Sequence, residues 1–252
     1  MSTGKEITFN GNLGSYKVIS TDDGDLTIWS EKFDENCHSL AGSYKETEYN
    51  YLEGCKIQEK IESGPECTIF EVGLGAGIGI LATLELYKKL KTKTKINFIT
   101  TELDESLVLW VIKNQLPKEF NLKKVGEHYF GKIENFGLCI LIGDALETIN
   151  TLPQGSVDAI FQDPFSPKKN PTLWTIDWFE KLKLIAKKNA LISTYSASTS
   201  IRKSMVMAGW TIENRKGFAY KKSSTVGAIE SEYCDLEFTR SILENQKIKP
   251  FL

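Results

Sequence analysis

FEVGLGAGIGILATLELYKKL, residues Phe70 to Leu90, carries the reading that decides the fold. An apolar run, Cys67–Val72, enters four glycines in seven residues, Gly73-Leu-Gly75-Ala-Gly77-Ile-Gly79, and continues into a helical pattern over Ile78–Leu90. This is strand, tight turn, helix. Glycine permits positive φ and lets a ligand approach the backbone closely. The helix start that follows offers free N–H groups and the positive end of a dipole. The spacing is not G-x-x-x-x-G-K-[ST], which excludes a P-loop, and it only approaches G-x-G-x-x-G, so a dinucleotide site stands as a rival. Glu71 precedes the first glycine by two residues. An acid there suits a ligand carrying an ammonium or a ribose better than one carrying a pyrophosphate.

Outward from this turn, further apolar runs end in acids. KINFITTELD (Lys95–Asp104) ends near Glu102, which at the close of a second strand can accept both ribose hydroxyls. LCILIGDALETINTLP (Leu138–Pro153) carries Gly143-Asp144-Ala145, with Asp144 placed to meet an adenine amino group. VDAIF (Val157–Phe161) leads into QDPFSPKKNPTLWT (Gln162–Thr175), where Asp163 is followed at once by Pro164. Three prolines in eight residues forbid strand or helix there and give a rigid loop. In open α/β sheets ligands bind at the carboxyl ends of strands. Any one of these carboxylates reads equally as a helix cap. Four of them (Glu71, Glu102, Asp144 and Asp163) at successive strand ends read as a ligand site.

The rest of the chain frames that core. Tyr16–Phe33 alternates around Asp23-Gly24, a hairpin signal, and Gly42–Ile61 reads as a helix. Helical patterns recur over Ser106–Gln115, Trp174–Lys187 and Thr199–Ala208, where Gly209 supplies a stop. Strands are expected at Cys67–Val72, Ile96–Thr101, Leu138–Ile142, Val157–Phe161 and Ala190–Thr194, with Thr211–Asn214 and Cys234–Thr239 as late candidates. Glu127–Phe136 is read as pairing in a hairpin with the strand after it. Strands alternating with helices imply a parallel sheet. At 252 residues one α/β domain with a small appendage is expected.

Composition excludes more than it assigns. The net charge of −2 gives no global attraction to nucleic acid. Basic pairs cluster at Lys168-Lys169, Arg202-Lys203, Arg215-Lys216 and Lys221-Lys222, all in the second half beside the expected active edge. Each alone reads as a solvated surface; together they favour an RNA partner. Five cysteines without a C-x-x-C pair and two histidines give no zinc spacing, so no metal is expected. The odd cysteine count without a signal peptide suits a reduced cytoplasm, and no apolar stretch approaches transmembrane length.

The order E-x-G-x-G-x-G, strand-end Glu102, Gly143-Asp144-Ala145 and Asp163-Pro164-Phe165 resembles a class I S-adenosylmethionine-dependent methyltransferase. Within that class, DPFSPKKNPTLWT resembles the D-x-F-x-P-x-K-N-P-x-x-W-T segment of the methyltransferase part of the MnmC family, bacterial enzymes of tRNA wobble-uridine modification. RKGFAYKK (Arg215–Lys222) resembles that family's R-K-G-F-G-R-K-R stretch, and Phe33–Gly54 its N-terminal F-D-D-x-Y-F-S…Y-V-F-L-x-G segment. Ser43-Tyr44-Lys45 and Ala219-Tyr220 depart from it. The resemblance implies a Rossmann-like α/β fold, a mostly parallel seven-stranded sheet with helices on both faces. It divides the chain into an N-terminal hairpin and helix extension (1–62) and a methyltransferase domain (63–252), the stand-alone MnmD type without the fused flavin oxidase half.

The resemblance further implies S-adenosyl-L-methionine as cofactor, bound by Glu71, Gly73, Gly75, Gly77, Glu102, Asp144 and Ala145. The acceptor it implies is the primary amine of 5-aminomethyl-(2-thio)uridine in tRNA. Asp163 is the expected catalytic residue. An amine near pKa 10.4 is protonated at neutral pH, and a carboxylate near 3.9 does not strip it but raises its pKa, so Asp163 reads first as an acceptor that orients the lone pair and second as a general base. Phe165, Trp174, Tyr195 and Phe218 are candidates to sandwich a splayed uracil, with Pro167, Lys168 and Lys216 completing the substrate set. Three rivals stay open: a small-molecule amine methyl- or aminopropyltransferase of the spermidine-synthase type, an NAD-dependent oxidoreductase, and a non-catalytic RNA-binding protein.

Overall fold

Apolar runs with side chains alternating between two covered faces build the centre of the molecule. The computed structural model describes residues 7–230, 232 and 234–252. The N-terminal region holds β1 (Ile7–Gly11), β2 (Gly14–Ser20), β3 (Leu26–Ser30) and β4 (Glu35–Asn36), a four-stranded antiparallel meander. Next come α1 (Ser43–Thr47), a π-helical turn (Glu48–Glu53) and α2 (Ile57–Ser63). The core follows as β5 (Glu66–Val72), α3 (Ile78–Leu90), β6 (Lys95–Glu102), α4 (Glu105–Asn114), β7 (Lys123–Val125), β8 (His128–Ile133) and β9 (Phe136–Ile142). It continues through α5 (Ala145–Thr148), β10 (Val157–Gln162), α6 (Ile176–Ile185), β11 (Ala186–Thr194), α7 (Thr199–Met207), β12 (Thr211–Lys216), β13 (Ser223–Ala228) and α8 (Leu236–Glu244).

The main sheet has nine strands in the order β12-β13-β11-β10-β5-β6-β9-β8-β7. The five central strands, β11 to β9, run parallel, and antiparallel pairs close both edges. Along β5, Ile69 joins one core, with α2 and α3, and Phe70 joins the other, with Trp178 and Phe179 of α6. The chain crosses from β6 and β9 on one side of β5 to β10 and β11 on the other. That reversal opens a crevice at the carboxyl ends of β5 and β10.

The hairpin around Asp23-Gly24 forms as β2 and β3, and β8 pairs antiparallel with β9 as its sequence suggests. Three expectations need correction, and one strand went unread. The sheet has nine strands rather than seven, since the exposed β7 and its partner β8 extend one edge. Residues 42–61 are not one helix but α1, a π turn and α2, with Lys56 left-handed between them at φ 52. Cys234–Thr239 is not a strand: Asp235 accepts from the Phe238 N–H and caps α8, which buries Ile242 four residues beyond Phe238. β13 is buried between β11 and β12, yet its small residues, SSTVGA, show no alternation to read.

Candidate active site

The crevice forms a cavity of about 490 Å³ where the ends of β5, β6, β9, β10 and β11 meet the N-terminal segment. Gly73 and Gly75, at φ 94 and 53, turn the chain away from β5 and line it. An added Cβ on Gly73 would stand 3.0 Å from the Asp163 carbonyl oxygen, so the loops after β5 and β10 approach each other closely. Glu102 ends β6 and also lines the cavity. Its carboxylate accepts the Asp104 N–H at 3.0 Å, and it makes no ion pair among the described residues. Burial pushes its pKa up to about 7, against the pull of the Asp104, Leu103 and Gly75 N–H groups. Asp144 caps α5 by accepting from the Leu146 N–H at 2.9 Å, and with Gly143 and Ala145 it forms the far wall.

The loop after β10 is stiff for reasons beyond its prolines. Gln162 is buried and donates to the Leu173 carbonyl while accepting from Trp178 Nε1. Trp174 Nε1 donates to the Phe165 carbonyl, and the Tyr195 hydroxyl to the Pro164 carbonyl. The loop presents Asp163, whose side chain is 11% exposed. Tyr51, on the π turn, donates to its Oδ1 at 2.5 Å, and His38 Nδ1 stands 3.8 Å from its Oδ2. Burial drives the Asp163 carboxyl well above the usual range; the Tyr51 bond and Lys221 pull it down and Glu46 pushes it up. Lys221 pairs with Glu46 at 2.9 Å and lies over the Tyr195 ring, 4.6 Å from its centroid. Phe165 lines the cavity and stacks on Phe33 with centroids 4.3 Å apart.

Asp163, Gly73, Gly75, Glu102, Asp144, Ala145 and Phe165 are thus brought together. Two expected ligand contacts need correction. Glu71 lies behind the glycine loop, 4% exposed, where it accepts from Thr100 Oγ1 at 2.7 Å and is held above the usual carboxylate range by burial. Its oxygen fills the space that a side chain on Gly79 would occupy, so it supports the loop rather than facing the cavity. Trp174 is fully buried against Tyr195 and offers no face to a base. Gly77 turns the chain into α3 at φ 78 without lining the cavity. Pro167, Lys168, Lys216 and Phe218 also lie outside its lining; Lys216 and Lys168 are exposed, and Phe218 sits 6.3 Å from the Tyr49 ring.

One basic pair is withdrawn from the surface. Arg202 is bonded to Thr225, Asn214 and Ser224, and Lys203 to the Ile242, Leu243 and Asn245 carbonyls at the end of α8, both buried. Sequence reading missed His38, Tyr51, Glu46 and Glu35 as site residues. No local motif marks them. They reach the cavity because the N-terminal segment folds over the sheet edge, and only the family resemblance of Phe33–Gly54 pointed there.

The lining fits S-adenosylmethionine. Its acids Glu35, Glu46, Glu102, Asp144 and Asp163 outnumber Lys32 and Lys221, and its polar wall is rich in acceptors. That suits a ligand bearing a positive sulfonium, an ammonium, ribose hydroxyls and an adenine amino group. Among the described residues no His, Cys, Asp or Glu group is arranged to hold a metal, and no helix is long and apolar enough to cross a membrane.

Comparison with known proteins agrees. A family described as S-adenosyl-L-methionine-dependent methyltransferase matches residues 110–230. The "tRNA 5-methylaminomethyl-2-thiouridine biosynthesis bifunctional protein MnmC" of Leptospira interrogans is 28% identical over 246 residues, 90% of this chain. The protein of the same description from Pseudoalteromonas translucida is 29% identical over 230 residues. This chain spans only 36% and 34% of those two relatives. The crystal structure of MNMC2 from Aquifex aeolicus superposes with a TM-score of 0.73 at 24% identity, covering 92% of this chain and 77% of that one. The sheet order and crevice have the arrangement of a class I S-adenosylmethionine-dependent methyltransferase fold, and the chain is similar to that family over residues 110–230. Along most of its length the chain is similar to one part of the larger MnmC proteins, and in fold to MNMC2.

Proposed function

We propose that the chain transfers a methyl group from S-adenosylmethionine to the amine of 5-aminomethyl-(2-thio)uridine at the tRNA wobble position, giving the 5-methylaminomethyl product. The observation that carries this is Asp163, a buried carboxylate on a braced loop beside the glycine turn, with one oxygen already bonded to Tyr51. The MnmC relatives are described as proteins of tRNA 5-methylaminomethyl-2-thiouridine biosynthesis, which names the same end product. Glu102 would hold the ribose hydroxyls, Asp144 and Ala145 the adenine, and the Gly73–Gly75 backbone the remainder of the donor. When bound, the donor supplies an electrophilic methyl on sulfonium.

The chain's own work is to bind, orient and exclude water. Because Tyr51 occupies Oδ1, Oδ2 of Asp163 is the atom left to accept an N–H from the acceptor amine and aim its lone pair. A carboxylate alone would strengthen the ammonium's hold on its proton. Lys221 is offset by its pair with Glu46, so the amine's proton leaves to water before attack. Phe165 and Tyr195 offer rings at the cavity for the uracil. The reduced cytoplasm suits five unpaired thiols. A small-molecule amine acceptor is the second reading, favoured by the acid-rich lining and the Tyr195 ring, over which the Lys221 ammonium lies at 4.6 Å.

The test is nucleoside analysis of tRNA carrying 5-aminomethyl-2-thiouridine after incubation with the protein and S-adenosylmethionine. Conversion to the 5-methylaminomethyl nucleoside is expected. No conversion, with donor binding intact, would overturn the acceptor assignment.

A further inference from the structure

His38 stands where the glycine loop meets Asp163. Its side chain is 6% exposed, and the residue lines the cavity. Burial drops the ring's pKa to about 4, with Glu46 opposing and Lys221 adding to the fall, so the imidazole is neutral at physiological pH. A neutral imidazole carries one N–H and one lone pair. With the Asp163 carboxyl ionised, its Oδ2 at 3.8 Å from Nδ1 favours the tautomer protonated at Nδ1, which leaves the lone pair on Nε2. Nε2 is buried and has no hydrogen-bond partner. Orphaned buried acceptors of this kind are rare and call for an explanation. An added Cβ on Gly75 would stand 3.2 Å from Nε2, so Nε2 lies beside the glycine loop that lines the cavity.

Only a donor satisfies that lone pair. The surroundings narrow the choice, because Glu102, Glu35, Glu46 and Asp163 line the same cavity. A carboxylate brought to Nε2 would meet a lone pair and the acceptor oxygens of these groups; an ammonium would find acceptors. We propose that His38 is a donor-binding residue whose Nε2 accepts a hydrogen bond from the α-ammonium of S-adenosylmethionine, while its Nδ1–H faces Asp163. The proposal rests on the identity of the methyl donor and is independent of the tRNA acceptor. It also links the two halves of the site, since the ring that fixes the donor's ammonium is the neighbour of the carboxylate assigned to the acceptor.

The test is calorimetric binding of S-adenosylhomocysteine, which keeps the ammonium, and of its deaminated butanoate analogue, to the wild type, His38→Ala and His38→Gln. Loss of one charge-assisted hydrogen bond predicts that His38→Ala weakens S-adenosylhomocysteine roughly tenfold. The analogue's affinity should be unchanged, and His38→Gln, with its acceptor oxygen, should recover part of the loss. Equal weakening of both ligands would reduce His38 to a wall of the cavity and overturn the proposal. Unchanged affinity for S-adenosylhomocysteine would overturn it too and move His38 to the acceptor side. If His38→Ala does not fold, the wild type and His38→Gln decide the matter: a wild type that binds both ligands equally contradicts it. Failure of the wild type to bind either ligand would overturn both this proposal and the donor assignment, whereas normal binding without tRNA conversion would count only against the proposed acceptor.

Discussion

At Asp163 a carboxylate sits between a phenol and an imidazole, and burial decides what it can do. Tyr51 holds one oxygen, so the other is the site's free acceptor. Asp163→Ala should abolish methyl transfer and leave donor affinity within a few-fold, measured by transfer assay and calorimetry. Equal loss of both would put Asp163 in the donor pocket. Glu102 is raised to about 7, while its ionised form is the better acceptor for ribose hydroxyls. Donor affinity should therefore fall as pH drops through 7, approaching about tenfold per unit below it. A flat binding curve across that range would remove Glu102 from the ribose. The sign for stability is opposite. A carboxyl whose folded pKa lies above its unfolded value of 4.5 favours the folded state in acid, and that contribution is lost as pH rises toward 7. The placement of Glu102 and Asp163 at the cavity was legible in the sequence because each closes a strand of an α/β pattern, at the edge where the crevice opens. His38 and Tyr51 were not, since what makes them site residues is a contact across the fold.

Among the elements, the first turn of the four-stranded meander is bonded to α4 through Asp104, while Phe9 stacks on Trp110 and Glu35 accepts from the Ser166 N–H. Asp104 caps α4 by accepting from Ser106, and also accepts from the Asn12 and Leu13 N–H groups and the Tyr16 hydroxyl. Burial alone would raise its pKa, and these bonds together outweigh that and lower it. Its contribution is therefore present at neutral pH and lost as pH falls through the depressed value. Asp104→Ala should cost about 2–4 kcal/mol, since it strands several donors that are only partly reachable by water. Urea unfolding checks this, and a change under about 0.5 kcal/mol, the usual surface range, would contradict it. The core elements were readable because strand and helix periods announce themselves. The π turn was not: residues 42–61 carry helical spacing throughout, and the break follows from tertiary packing. There Asn50 accepts from Ser193 Oγ, and Tyr51 turns to Asp163. The edge strand β7 is polar and the buried β13 is small, so neither has an alternation to see.

For the whole molecule, a net charge of −2 means that any affinity for RNA must come from a local face. Of the basic pairs, with Arg202 and Lys203 buried, Arg215 stacked on Tyr49 and Lys221 paired with Glu46, the members left for RNA are the exposed Lys168, Lys169, Lys216 and Lys222, of which Lys169 also reaches Asp34. If each meets a phosphate, replacing all four by alanine should flatten the slope of log K against log salt by about 3–4. Donor binding should be unchanged. A slope that is already flat in the wild type would argue against a tRNA partner. The central claim, that a wobble-uridine amine is what Asp163 orients, is tested most directly by offering methyl-labelled donor to two acceptors in one tube, aminomethyluridine tRNA and free putrescine. Label confined to the tRNA is the predicted result. Equal labelling of putrescine would contradict it and make the protein a small-molecule amine methyltransferase.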